Sequence, residues 1–320
     1  MRRLLGLALA AVIGIVVWLS IPLSRSGLTA DPRPVADYAE ALRRIDGLRA
    51  EDGAAIAPEC RTRLFTHGAR AARVVVMFHG LTNCPAQFDS LGRIAFARGA
   101  NVLIPRLPRH GWADRMTDQL ARSDAGELRT FADRAIDLAH GLGDSVTVVG
   151  LSVGGTLAAW AAEQRPDVDR AVLIAPMLGV ARAPGAWTPI VSRLAGALPN
   201  LFVWWDDARR RALLGPKHVY PRFATRVVAA TLRLGWMVVE DAARRPPACR
   251  TIAVVTVGGD PAVDNGLCDR AIDGWRRSGR AVETYRFPAR LDLSHDIVDP
   301  EQVKGNPALT YPVLVRLIGP

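Results

Sequence analysis

From residue 74 to residue 287 the chain keeps returning to one pattern. A short, almost wholly apolar run rich in Val and Ile gives way to a turn and then to a stretch with helical spacing of apolar residues. The runs are VVVMF (74–78), NVLIP (101–105), VTVVG (146–150), AVLIAP (171–176), TIAVVTV (251–257) and AVETYRF (281–287). A strand with one wet face alternates apolar and polar residues. Most of these runs do not alternate, so they are buried on both faces, as parallel strands with helices on either side are. The helical stretches fall at 89–98, 124–141, 156–164 and 265–278. The expectation is a doubly wound α/β domain on a mostly parallel sheet.

Residues 178–250 break the rhythm with proline punctuation and helical patterns around 223–243. A structureless loop of that length is uncommon in a compact domain. An inserted, mainly helical cap is expected there, over the carboxyl ends of the strands where such sheets bind ligands. Upstream, 35–53 has helical spacing and stops at Gly53, and 61–66 reads as a short strand. The organisation is then an N-terminal anchor and linker (1–30), a first core part (31–177), the cap (178–250) and a second core part (251–320).

After MRR come twenty uncharged residues, 4–23, which as a helix would rise about 30 Å, enough for a bilayer core. With Arg2 and Arg3 kept inside, this reads as an uncleaved signal anchor that places the bulk of the chain in the periplasm or outside the cell, bound to the membrane. Cleavage after Ala30 and secretion is the alternative. Residues 24–34 read as a polar, proline-bearing linker. The net charge of +10 comes from arginine, since only Lys217 and Lys304 are lysines. Its densest run is Arg209-Arg210-Arg211, no basic stripe is interleaved with aromatics, and no nucleic-acid partner is expected. Four cysteines occur without a CxxC or Cys/His cluster, so neither zinc nor another metal is expected. No cofactor is called for, and oligomeric state is not legible.

Chemistry concentrates in three places. GLSVGG (150–155) joins a strand to a helix and puts Ser152 between Gly150 and Gly154, the setting of a sharp G-x-S-x-G turn that exposes a serine nucleophile. A serine hydroxyl needs a base, and the base needs an acid to orient it. Asp260 follows the strand 251–257, and His295 lies in the loop after 281–287. All three therefore reach one edge of the sheet, with Asp264 an alternative acid. The N–H of Val153 and that of Leu81, in the loop HGLTNC after the first strand, are the expected donors to an oxyanion. His79 and His110 read as loop braces, Asp292 and Asp296 as structural. Trp204 and Trp205 either line a substrate pocket or fill the cap.

FHGLTNCPAQF, GLSVGG, the aspartate of DPAV and the HD of SHDIVDP together resemble the α/β-hydrolase family, in its esterase, monoacylglycerol-lipase and serine-aminopeptidase-like branch. The resemblance covers about 73–178 and 251–300. It implies an α/β-hydrolase fold, a Ser152–His295–Asp260 triad with Leu81 and Val153 at the oxyanion hole, and cleavage of a small-molecule ester or lipid-like substrate. Peptidase or amidase activity, and a binding protein with a dormant site, remain alternatives. The acid loop reads VGGDP, a departure from the commoner glycine-x-x-aspartate that keeps Asp264 open. On this fold a Cys60–Cys84 disulfide would clamp the loop that carries Leu81.

Overall fold

The computed structural model describes residues 2–205, 210 and 215–319. Its main sheet has seven strands: β1 (Arg63–Phe65), β2 (Ala71–Phe78), β3 (Asn101–Ile104), β4 (Gly143–Leu151), β5 (Arg170–Ile174), and further on β8 (Thr251–Val257) and β9 (Val282–Phe287). They lie in the order β1-β3-β2-β4-β5-β8-β9. β1 runs antiparallel to β3 and every other pairing is parallel. The expected fold, a mostly parallel doubly wound sheet, is what forms.

The alternation of faces explains why the central strands are apolar over most of their length. Val74, Val76 and Phe78 of β2 enter one core, with Val146 and Val148 of β4 and Leu173 of β5. Val75 and Met77 enter the other, with Val149, Leu151, Val172 and Ile174. The first core is roofed by α2 (Tyr38–Ala50), α4 (Ala125–Leu142), α5 (Val153–Gln164), α7 (Thr225–Ala242) and α8 (Asn265–Arg277), and the second by α3 (Asp89–Ala97) and α9 (Pro307–Ile318). Helix α9 was not foreseen. Its apolar residues Leu314, Leu317 and Ile318 are spaced for one buried face.

Between β5 and β8 the chain forms α6 (Thr188–Ala197) and an antiparallel ribbon of β6 (Phe202–Trp204) and β7 (Arg222–Ala224), then returns through α7. Helix α7 packs on α5 and α8 as part of the helical layer. Of the basic run at 209–211, Arg209 and Arg211 lie outside the described residues.

The N-terminus departs from expectation twice. Among the described residues no helix is long and apolar enough to cross a membrane. Helix α1 (Arg2–Ser20) includes the charged Arg2 and Arg3, and Ile21, Pro22 and Leu23 fall beyond its end. At ~1.5 Å per residue its uncharged part is about 25 Å long, short of a ~30 Å hydrocarbon core. The expected signal anchor is thereby corrected, and with it the membrane as partner and the periplasmic or extracellular placement that rested on the anchor.

Second, the expected linker is a strap laid across the helical layer. Leu28 is fully buried, and its carbonyl accepts the Trp160 indole N–H at 2.7 Å. The N–H of Asp31 donates to Asp133 Oδ2 and that of Val35 to the Asp137 carbonyl. Arg233 donates to the carbonyls of Ser24 and Ser26, and Arg25 pairs with Asp241. Polar side chains and prolines looked like a linker because, apart from Leu28 and Arg25, the contacts here are made by the strap's backbone.

Candidate active site

The turn between β4 and α5 holds Ser152 at φ 56° and ψ −113°. A non-glycine residue there costs roughly 1–3 kcal/mol and persists only when its surroundings hold it. Here the Ser152 N–H donates to the Ile174 carbonyl at 3.0 Å, and the Ser152 carbonyl accepts N–H groups from Thr156 and Met177. The flanking glycines are steric necessities. A Cβ on Gly150 would lie 2.0 Å from the Gly154 carbonyl oxygen, and one on Gly154 would lie 1.9 Å from that of Phe78. The serine is thus presented at the start of α5, where the Val153 N–H has no intrahelical acceptor.

Asp260 follows β8 and is buried. Its Oδ1 accepts the N–H groups of Ala262 and Val263, and its Oδ2 accepts His295 Nδ1–H at 2.8 Å. Burial alone would push this carboxyl up, but the His295 bond and charge, helped by the two N–H groups, hold it below the usual aspartate range. Burial works against a charged His295, yet the Asp260 bond and charge, with Asp296 behind them, raise its pKa above the usual value. The other ring nitrogen, Nε2, is buried and has no hydrogen-bond partner among the described residues. Asp260 and His295 are therefore joined, and Ser152 Oγ is bonded to neither; apo sites of this type are commonly loose at that step. Asp264 is occupied elsewhere, capping α8 through the Gly266 N–H at 2.8 Å.

Leu81 lies in the loop after β2, buried and next to Thr82. His79 braces this loop. Its Nε2 accepts the Leu107 N–H at 3.0 Å, which leaves the proton on Nδ1, and Nδ1–H donates to the Gly80 carbonyl at 3.0 Å. That bond orients the peptide whose N–H belongs to Leu81. Burial, and then the neighbouring His110, hold His79 well below the usual histidine pKa, so the ring stays neutral. His110 is likewise fully buried, its pKa lowered to about 4 chiefly by burial. The Cys60–Cys84 disulfide forms, its Cα atoms 5.1 Å apart, and ties this loop to the chain just before β1.

Trp205 reaches the same loop: its indole N–H donates to Thr82 Oγ1 at 3.0 Å while its ring lies 4.5 Å from that of Phe223. Trp204 sits on β6 in register with Arg222. Asp296 is the structural residue it was read as, but several of its neighbours around the site went unread in the sequence. Asp296 Oδ2 accepts Gln87 Nε2–H at 2.6 Å and Asn83 Nδ2–H at 3.2 Å, and buried Asp299 faces His218 Nε2 at 2.8 Å. Asn83 and Gln87 stood in a loop already singled out, but their partners are more than two hundred residues away. His218, isolated in the insertion, gave no signal at all.

The strand order and the serine turn between β4 and α5 define a protein of the α/β-hydrolase class. The Alpha/beta hydrolase family matches residues 75–303, and the chain belongs to that family of hydrolytic enzymes. A thermostable monoacylglycerol lipase of Bacillus sp. (strain H-257) is 31% identical over 100 residues, which takes in 29% of this chain and 36% of the relative. The chain thus matches little more than a third of that relative's length. Among solved structures, a Paleococcus ferrophilus monoacylglycerol lipase superposes with a TM-score of 0.60 at 16% identity, over 80% of this chain and 97% of that one. A soluble variant of the Saccharomyces cerevisiae monoglyceride lipase gives 0.61 at 13% identity, over 81% and 89%. These two show the fold.

Proposed function

We propose that this protein is a serine hydrolase that cleaves carboxylic esters, with acyl or lipid-like groups as substrates, through an acyl-enzyme. The observation that carries the reading is the Asp260–His295 bond of 2.8 Å, with His295 Nε2 unpartnered among the described residues on the sheet edge where Ser152 is presented. In the proposed reaction Ser152 Oγ–H gives its proton to His295 Nε2 while Oγ attacks the ester carbonyl. The N–H groups of Leu81 and Val153 take the developing oxyanion. The tetrahedral intermediate collapses, and the alcohol leaves with the proton from His295. A water molecule then repeats the sequence on the acyl group and regenerates Ser152. Asp260 holds the imidazole tautomer and stabilises the imidazolium without taking the proton.

The insertion at 178–250 is read as the cap of the site, with Trp204 and Trp205 as apolar contacts for an acyl chain. The lipid-like preference draws support from the Bacillus relative, a thermostable monoacylglycerol lipase. The test compares the wild-type protein with Ser152→Ala. The wild type is expected to be labelled by a fluorophosphonate and to turn over p-nitrophenyl esters, and the variant to lose the label and on the order of 10⁴-fold or more in kcat. A folded wild type that neither labels nor turns over ester would overturn the reading. Turnover of the matching amide at a rate equal to the ester would move it to an amidase.

A further inference from the structure

Thr82 is a β-branched residue in the left-handed region, at φ 65°. Such residues are rarely found there. Its Oγ1–H donates to the Leu81 carbonyl at 2.6 Å. Its two remaining polar contacts among the described residues come from the insertion: Trp205 Nε1–H to Oγ1 at 3.0 Å, and the Tyr220 N–H to the Thr82 carbonyl at 2.8 Å. The next residue, Asn83, is gripped from the other side. Its Nδ2 donates to Asp296, the neighbour of His295, and to Asp299 at 3.4 Å. Asp299 Oδ2 also faces His218 of the insertion. The insertion therefore touches both loops that build the site, one through Thr82 and the other through Asp299.

We infer that Trp205 and His218 are positioning residues for the ester chemistry, holding through Thr82 and Asp299 the loops that carry Leu81 and His295; this rests on the serine mechanism proposed above. Without the indole N–H, the Thr82 hydroxyl that holds the Leu81 carbonyl loses its own anchor in the insertion, and residue 81, whose N–H is the proposed oxyanion donor, is held less firmly. Without His218, a buried carboxylate that helps hold Asn83 loses its nearest donor. Both changes act on the transition state more than on substrate binding, so they should appear in kcat.

The test uses the full chain with p-nitrophenyl acetate, an ester too small to need the cap for binding. Trp205→Phe keeps the ring on Phe223, and Thr82→Val keeps the shape of residue 82. Each is expected to lower kcat roughly tenfold at unchanged KM, a fraction of what loss of an oxyanion donor costs. The double variant should fall no further than Thr82→Val alone, which already removes the acceptor of the indole N–H. His218→Ala should lower kcat, and His218→Gln, which restores a donor to Asp299, should recover most of it. Thermal unfolding of each variant keeps a folding defect apart from a kinetic one. Folded Trp205→Phe and His218→Ala proteins with kcat within about twofold of wild type, or a loss confined to KM, would overturn this inference alone. A wild type without label or turnover would overturn the serine mechanism and this inference with it.

Discussion

At the residue scale the site is governed by a few side chains whose backbone or protonation state is held from outside. Ser152 keeps a strained conformation because two glycines leave room for it and three backbone bonds fix it. In the proposed mechanism His295 works as a base only when neutral, and Asp260 raises its pKa. Because the protonated ring cannot accept the Ser152 proton, kcat/KM should climb with pH through a midpoint above ~6.5, the unperturbed histidine value. Asp260→Asn should move that midpoint down and cut kcat by about 10⁴. A pH–rate profile of the two proteins checks both statements, and an unmoved midpoint would separate Asp260 from the base. The position of Asp260 was readable, since it follows an unmistakable strand. The preference for it over Asp264 rested on that place alone, and the folded chain adds that Asp264 caps α8.

At the scale of elements, apolar runs and helical spacing foretold the main-sheet strands and most of the helices that cover them. The ribbon of β6 and β7 and helix α9 were missed. The ribbon strands are three residues long, too short to show a period, and α9 carries Pro312 in its interior. One contact between elements leads to a pH effect on stability. Glu163 of α5 lies buried against α8, where its Oε1 accepts the Trp275 indole N–H at 2.5 Å. Burial, the dominant cause, pushes its pKa up to about 7. An unfolded chain ionises this group near 4.5, so between these values the folded state holds the extra proton and stability falls as pH rises. That contribution is complete below about 4.5 and is gone above about 7. Glu163→Gln should therefore flatten the decline: a Tm close to wild type at pH 5 and above wild type at pH 8. Equal differences at both pH values in calorimetry would count against a protonated Glu163.

At the scale of the whole molecule, the strap at 24–35 binds α4, α5 and α7 into one layer. Its removal exposes the Leu28 site, worth about 1.5–3 kcal/mol for the side chain alone, and strips partners from the Trp160 indole and from Asp133. A chain beginning at Tyr38 should melt roughly 10 °C below one beginning at Ser24, at about 2–4 °C per kcal/mol for a domain of this size. Equal melting temperatures would mean that the strap is an ornament on a core complete without it.

The layers of the fold were legible in the order of the residues, as was the placing of Ser152, Asp260 and His295 just past strand ends. Both follow from local rules: unbroken apolar runs that mark strands buried on both faces, glycine around a tight turn, and the place of a residue just past a strand end. Only the tertiary structure decided the rest. It decided which acid His295 takes, that residues 24–35 are a strap, that α1 is too short to span a bilayer, and that Trp205 and His218 reach Thr82 and Asp299. Those outcomes depend on contacts between residues far apart in the chain, on backbone groups that every residue shares, and on where a helix stops. None of these leaves a periodic mark in the order of the side chains.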